Sequence, residues 1–478
     1  MTRKHILILA AAAASAVVVV GAILGWRAHQ RSVVLADSVP ARPDLATWPA
    51  ELPARIASCE ERITAGRSPV AALGELSRLY HANGFLPEAA TCYVGLEWLA
   101  PEEGRWAYRH ALILSGYGEN EPAVERLRHV ADLPGDYVPA RLRLGETLLK
   151  LGETAASADV YAATWQAHPD EPYALLGLAR CDIERELWEE ARAKLERLVA
   201  MTNYALGYDL IVSVYERLGE NERAAAIRGQ MRAWGAFRDM TDPWMEELLD
   251  DSYDAYQLSL AAGAAERRPD LPLAVRRMER AVALATDSAM LHFQLGMLYL
   301  QGREYTKSRE QLERCTRLAP DFADGWAHLS GVLGIVGDRA GSDRAIEEGL
   351  RRCPDSPGLH LMQAARFKKA GRLEDAIAEF RRSIELRPTE ADAYIQLGVT
   401  LMGAGRTDEG IAVLESALVA EPQHPFVLYT LALHAMETRD EPAARRWMEQ
   451  ARRQPRLKAE DLQHLIRQFS TTFGQPAP

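Results

Sequence analysis

Pro320, Pro354, Pro388 and Pro422 stand 34 residues apart, and Gly337, Gly371 and Gly405 keep the same interval. A recurrence of that length means one supersecondary unit copied along the chain, which excludes a string of unrelated closed domains. Within residues 391–424, Tyr394, Leu397, Gly398 and Leu401 share one face of a first helix, and Gly405 marks a turn. Ile411, Leu414 and Ala417 then share a face of a second helix, which Pro422 ends. Apolar spacing by three and four predicts helix. Glycine in the connection supplies free φ, and proline beyond the second helix lacks the N–H that would continue it. Each unit therefore reads as two amphipathic helices joined by a tight turn.

This pattern resembles the tetratricopeptide repeat, and the resemblance runs over nearly the whole chain beyond residue 70. It implies an all-α, right-handed superhelical solenoid of about eleven helix-turn-helix repeats. The family needs a small residue where its two helices cross, once on each helix, so that the backbones approach closely enough for ridges to enter grooves. The corresponding first-helix residues run from Ser77, Ala111 and Gly145 to Gly398 and Ala432, with only Val212 departing, and the second-helix set from Ala89 and Ala123 to Gly410 and Ala444 is small throughout. Such repeats cannot bury their apolar faces alone, so the ends need caps. Leu52, Ile56, Cys59 and Ile63 make one face of a capping half-repeat, and Leu462, Leu465, Ile466 and Phe469 make one for the far end. The expected organisation is a short tail (1–5), a transmembrane anchor (6–25), a linker (26–50) and the capping half-repeat (51–69). A first array of five repeats (70–238), an acidic insert (239–254), a second array of six (255–458) and a capping helix with tail (459–478) follow.

The anchor rests on Ile6 to Gly25, 20 consecutive residues without a charge, led by Arg3 and Lys4. As a helix that run spans about 30 Å, the thickness of a hydrocarbon core. Trp26, Arg27, Ala28 and His29 after it make a poor cleavage context, so the run reads as an uncleaved single-pass helix of a cell inner (cytoplasmic) membrane. Arg3, Lys4 and the amino terminus are set against Arg27 and Arg31, a near-even balance. The reading adopted has the N-terminus inside and the bulk of the chain periplasmic or extracytoplasmic. Gly21 and Gly25 form a Gly-x-x-x-Gly pair that leaves a homodimer open.

Several chemistries lack their residues. A net charge of -11 argues against nucleic acid, whose phosphates need a cationic footprint. The five cysteines lie tens of residues apart with no Cys-x-x-Cys, and read as buried or partly buried free thiols. No lysine follows a glycine, so there is no phosphate-cradling loop; His-Glu-x-x-His and Gly-x-Ser-x-Gly are also missing. His81, His110 and His292 sit on repeat helices, as packed or solvated side chains. The expectation is a protein that is not an enzyme, with no cofactor, metal or small-molecule substrate.

The resemblance also implies that first helices line a concave face, with their second, fifth, ninth and twelfth positions turned inward. Some members grip a partner's C-terminal carboxylate with Lys and Asn at the fifth and ninth. Here the pairs begin Gly74/Arg78 and Tyr108/Leu112, and none is Lys/Asn. Toward the C-terminus the inner positions are apolar: Phe293, Met297 and Leu300, then Ile395, Val399 and Met402, then Phe426, Tyr429, Leu433 and Met436. Ala327, Gly331 and Gly334 lie between. These residues suggest a trough with a shallow depression for a partner's amphipathic helix or apolar segment. The competing reading packs them against neighbouring first helices. The insert carries six acids and no base over 242–254, with Asp242 and Pro243 as N-cap and first helical residue. Trp244 either anchors a basic partner or, with Leu248, covers the joint between arrays. The function expected is a membrane-tethered protein-interaction scaffold or assembly factor; the alternative is a permanent structural subunit of a cell-envelope complex.

Overall fold

The computed structural model describes residues 22–478 apart from 203, 235–239 and 455. The expected membrane helix therefore lies, up to residue 21, outside the described residues. Residues 22–37 are helical, and among the described residues no helix is long and apolar enough to cross a membrane.

Every regular element among the described residues is helical. After the helical stretch 22–37 an unpaired helix, α1 (Glu51–Thr64), leads into the pairs α2 (Pro69–Ala82) with α3 (Leu86–Leu99) and α4 (Gly104–Gly116) with α5 (Asn120–Asp132). The pairs α6 (Val138–Lys150) with α7 (Thr154–Ala167), α8 (Pro172–Glu184) with α9 (Trp188–Met201), and α10 (Ala205–Arg217) with α11 (Asn221–Trp234) follow. The short α12 (Pro243–Glu246) and a 3₁₀ turn (Glu247–Asp251) lead to α13 (Ala255–Arg267) with α14 (Leu271–Leu284). There the first of two compact units ends. The second unit, Ala285–Pro478, begins with α15 (Ala289–Gln301) and α16 (Tyr305–Leu318), then α17 (Ala323–Ile335) and α18 (Arg339–Arg352). It continues with α19 (Pro357–Lys369) and α20 (Leu373–Leu386), α21 (Ala391–Gly403) and α22 (Thr407–Ala420), α23 (Pro425–Glu437) and α24 (Glu441–Arg452), and closes on α25 (Ala459–Phe473). The units thus divide one helix pair beyond the insert, because α13 and α14 are tied into the first.

Within each pair the first helix stops in the same way. The Phe85 amide reaches back to the Tyr80 carbonyl (2.9 Å), Glu153 to Leu148 (3.0 Å), Asp338 to Leu333 (2.9 Å) and Arg406 to Leu401 (2.9 Å). This is a Schellman closure, which needs a left-handed residue just before the reaching amide. Gly84, Gly152, Gly337 and Gly405 supply it without strain, whereas Glu186, Arg303 and Arg439 hold φ at 59°, 60° and 59°. A side chain in that region costs about 1 kcal/mol. The fold therefore repeats even where the glycine is gone.

The helix crossings explain the small residues. A methyl carbon on Gly410 would sit 2.7 Å from the Gly398 carbonyl oxygen, so the two backbones touch. Where serine stands instead, its hydroxyl finds a partner, for Ser77 in the Gly74 carbonyl of its own helix (2.8 Å) and for four others across the pair. Ser157 donates to the Gly145 carbonyl (2.7 Å), Ser308 to Gly296 (2.8 Å), and Ser330 and Ser342 bond each other (2.8 Å). A buried hydroxyl without a partner would be costly, so these bonds let serine replace glycine.

Both ends are covered. Leu52, Ile56 and Cys59 of α1 are fully buried against Leu73, Leu76 and Tyr80 of α2. The stretch 26–50, expected as a linker, joins this core: Val34, Leu35, Leu45 and Trp48 pack on it, and Ser38 lies so close to Gly95 that no methyl would fit. Apolar side chains in that stretch cover a face that would otherwise meet water, worth about 2 kcal/mol for each large one buried. In the second unit, Leu465 and Phe469 of α25 are fully buried against Leu428 and Met448. Cys59, Cys92, Cys181 and Cys315 are buried free thiols and Cys353 is half-buried. Burial pushes the Cys315 thiol up to about 11.

Candidate interaction surfaces

Asp242 opens the insert, and its carboxylate does three things at once. It caps α12 by accepting from the Met245 amide, and it accepts from the hydroxyls of Tyr137 (2.6 Å) and Tyr108. Burial raises both phenols well above the tyrosine range, and the Asp242 carboxylate adds to it. Pro243 follows at the first helical position, which sets Trp244 against the same two rings. The indole stacks on Tyr137 with centroids 3.6 Å apart at 13°, and meets Tyr108 edge-on at 5.6 Å. Trp244 therefore is an anchor, but into its own chain.

The insert's acids meet arginines of α1, α2 and α4. Arg109, with no exposed side-chain surface, donates to the Trp244 carbonyl and to Glu247 (2.8 Å), and Arg105 reaches Glu247 at 3.4 Å. Asp251 accepts from Arg55 (2.7 Å) and Arg78 (2.8 Å). Burial alone would lower the Arg55 guanidinium, but hydrogen bonds to Tyr253, Asp251 and Glu75 outweigh it and raise it. Asn83 closes the contact by gripping backbone. Its amide donates to the Asp251 carbonyl (3.0 Å) and its oxygen accepts from the Tyr253 amide (2.6 Å). On the other side, Arg268 pairs with Glu246 (2.6 Å), while Arg280 donates to the carbonyls of Leu249 (2.7 Å) and Ser252 (2.8 Å). These last bonds tie the α13–α14 pair to the first unit. Leu248 of the insert is buried.

Sequence reasoning missed this arginine-rich face. Arg78 and Tyr108 stand at inner ninth and fifth positions, but a search for Lys with Asn passes them by. Arg55 lies on the capping helix, and Tyr137 lies just ahead of a first helix, where no inner position exists.

The face of the second unit is different. Met297, Val399 and Met402 are half-buried, and Phe426 is 45% exposed. Phe293 is half-buried, edge-on to Phe322 at 5.0 Å and to His328 at 5.4 Å. A side chain added at Gly331 would meet nothing within 4 Å. Other expected lining residues turn into the core. Ile395 and Met436 are 7% and 3% exposed, so they are packing residues: Ile395 lies with Leu414 and Val427, and Met436 with Leu428 and Met448. Leu300 packs beside Leu312 and Leu329. Leu433 and Tyr429 pack beside Phe469, and the Tyr429 hydroxyl bonds His464 at 2.8 Å.

The histidines on repeat helices hold local bonds. His110 pairs with Glu97 (2.7 Å), and His292 bonds Gln311 (2.7 Å). His81 meets the Tyr93 hydroxyl (3.0 Å), and burial, with the Arg109 charge beside it, pulls its imidazole down to about 3. Among the described residues no group of three or more His, Cys, Asp or Glu is placed to hold a metal ion.

Family models described as tetratricopeptide repeats match residues 142–205, 291–322 and 368–425. A TPR repeat-containing protein of Pseudomonas aeruginosa is 34% identical over 76 residues, covering 16% of this chain and 72% of that protein. Cellulose synthase 2 operon protein C of Komagataeibacter xylinus is 33% identical over 165 residues, 34% of this chain but only 12% of its own length. The crystal structure of yeast Tom70 aligns over 88% of this chain and 95% of its own, with 13% identity and a TM-score of 0.38. On the repeat models and the Pseudomonas relative, this chain belongs to the tetratricopeptide-repeat family.

Proposed function

We propose that this chain is a protein-binding scaffold or assembly factor, held at a bacterial-type inner membrane by the apolar run 6–25, with its repeats on the extracytoplasmic side. Its first-helix faces take up polypeptide segments. One observation carries the reading: the face made by α1, α2 and α4 already holds a polypeptide, its own insert, through arginine–carboxylate pairs, an aromatic stack and an amide clasp on the backbone. The half-buried Met297 and Val399 and the exposed Phe426 give the second unit an apolar face of the kind that takes a helix. The tether is supported by the 20 uncharged residues of the run. The fold hosts many functions, so the partner must come from the faces themselves.

The test is detergent extraction of the tagged full-length protein from its membrane, followed by quantification of what co-purifies. The expected result is substoichiometric partners that are lost with Met297→Asp and Val399→Asp while the helical circular-dichroism signal persists. A fixed-ratio set surviving high salt would replace this reading with the permanent subunit, and the absence of any companion would refute both. Release of the protein by alkaline carbonate would remove the tether.

A further inference from the structure

We propose that the face of α1, α2 and α4 is a recognition site for an acidic partner segment that carries an aromatic residue, and that residues 242–254 occupy it as an intramolecular stand-in. The proposal rests on the scaffold reading and names the partner's chemistry. Arg55, Arg78, Arg105 and Arg109 of the face all bond acids of the insert, with Glu75 and Glu103 beside Arg55 and Arg105. Its aromatic slot, Tyr108 with Tyr137, takes one flat ring. Asn83 bonds both a carbonyl and an amide of the main chain, and Arg109 bonds another carbonyl, contacts that read a backbone and not a particular side chain. A segment with an aromatic residue followed by carboxylates at the spacing of Trp244, Glu247 and Asp251 satisfies all of these.

The insert also leaves the face incomplete. Arg109 is fully buried, yet its Nη1 has no hydrogen-bond partner. Beyond Pro243 a cleft of about 540 Å³ continues past Tyr137, Leu142 and Tyr173, and a second of about 340 Å³ opens beside Leu248 against His81 and Leu86. Glu247 is 44% exposed, where a charge pair contributes little net affinity. A longer acidic segment would keep the insert's contacts and add contacts in both clefts. The resident copy, being tethered, competes at an effective concentration on the order of millimolar, so a segment of equal fit displaces it only above that concentration and a better-fitting one below it.

A fluorescein-labelled peptide of residues 241–254 tests this on the full-length protein in detergent. The expected result is weak binding to the wild type and affinity at least about tenfold higher for a variant carrying Trp244→Ala, Glu247→Ala and Asp251→Ala, since the tethered competitor is gone. Adding Arg78→Glu to that variant removes the gain, and a peptide carrying Asp251→Lys restores it. Hydrogen exchange on the wild type gives a readout that does not depend on how the variant folds: saturating peptide raises exchange across 242–254. A folded variant that binds no peptide, or binding indifferent to Arg78→Glu, overturns the proposal. So does a variant that fails to fold while wild-type exchange stays unmoved, because the insert is then permanent core. Partners lost with Met297→Asp and Val399→Asp leave the scaffold reading standing whatever the peptide does.

Discussion

The two units present first-helix faces of opposite chemistry on one repeat frame. In the first, Arg78 and Tyr108 meet an acidic segment with a stacked indole. In the second, Met297 and Val399 occupy the ninth position that Arg78 holds in the first, and Gly331, open to solvent, lies between them in sequence. The frame itself does not differ: both units close first helices with the same five-residue return bond and cross helices at small residues. Positions that the fold requires are therefore alike, and the inner positions it leaves free carry the difference. Arg78, Met297 and Val399 stand at such positions and are only half-buried, so their chemistry differs without changing the frame.

Removing the indole breaks this comparison most severely. Trp244→Ala is expected to destabilise the first unit by about 3 kcal/mol, through lost burial and stacking, and leave the second unchanged. Denaturant unfolding followed by hydrogen exchange separates the two; equal loss in both would contradict it. The counterpart in the second unit is Gly410→Ala, whose methyl meets the Gly398 carbonyl oxygen at 2.7 Å. A cost of about 2 kcal/mol confined to α21 and α22 is expected, read from local exchange.

Acid separates the units next. The His81 imidazole, held down to about 3, lies below the 6.5 of a free histidine. Between those values the unfolded chain binds the proton and the folded chain does not. The stability contributed by the neutral ring is intact above pH 6.5 and is lost as pH falls toward 3, at no more than about 1.4 kcal/mol per pH unit. Thermal melts from pH 7 down to pH 4 should show this slope in the first unit, and His81→Gln should flatten it. Salt acts more gently. Raising ionic strength from about 0.1 to 1 M shortens the screening length from about 10 to 3 Å. The partly exposed pairs of Arg55, Arg78 and Arg105 should weaken by ~1 kcal/mol in sum, with about fivefold faster exchange across 242–254 and none in the second unit. The smallest change is a gain. Arg303→Gly relieves the left-handed backbone and should stabilise the second unit by about 0.5 kcal/mol, measured as a shift in its urea midpoint.

The helix pairs were legible because their signals are local. Gly405, Pro422 and the small residues at 398 and 410 lie within one unit, and each answers to a contact within that unit. The lining of the second face was legible only in part. Periodicity places Ile395 and Met436 at inner positions, yet it does not see how far a neighbouring helix leans over them, and both are buried. The stretch 26–50 looked like a linker because its apolar residues are too few to show a period, although Leu45 and Trp48 have a core to join.

The sequence by itself determined the repeat, its helices and turns, and the acidic, tryptophan-bearing character of the insert, since all of these follow from spacing and residue type along the chain. Only the tertiary structure decided where the insert goes. Arg55 and Arg78 lie 196 and 173 residues from Asp251, and no local rule connects them. Their meeting depends on the stacking of whole repeats, which brings cations of α1 and α2 to carboxylates that the chain supplies much later.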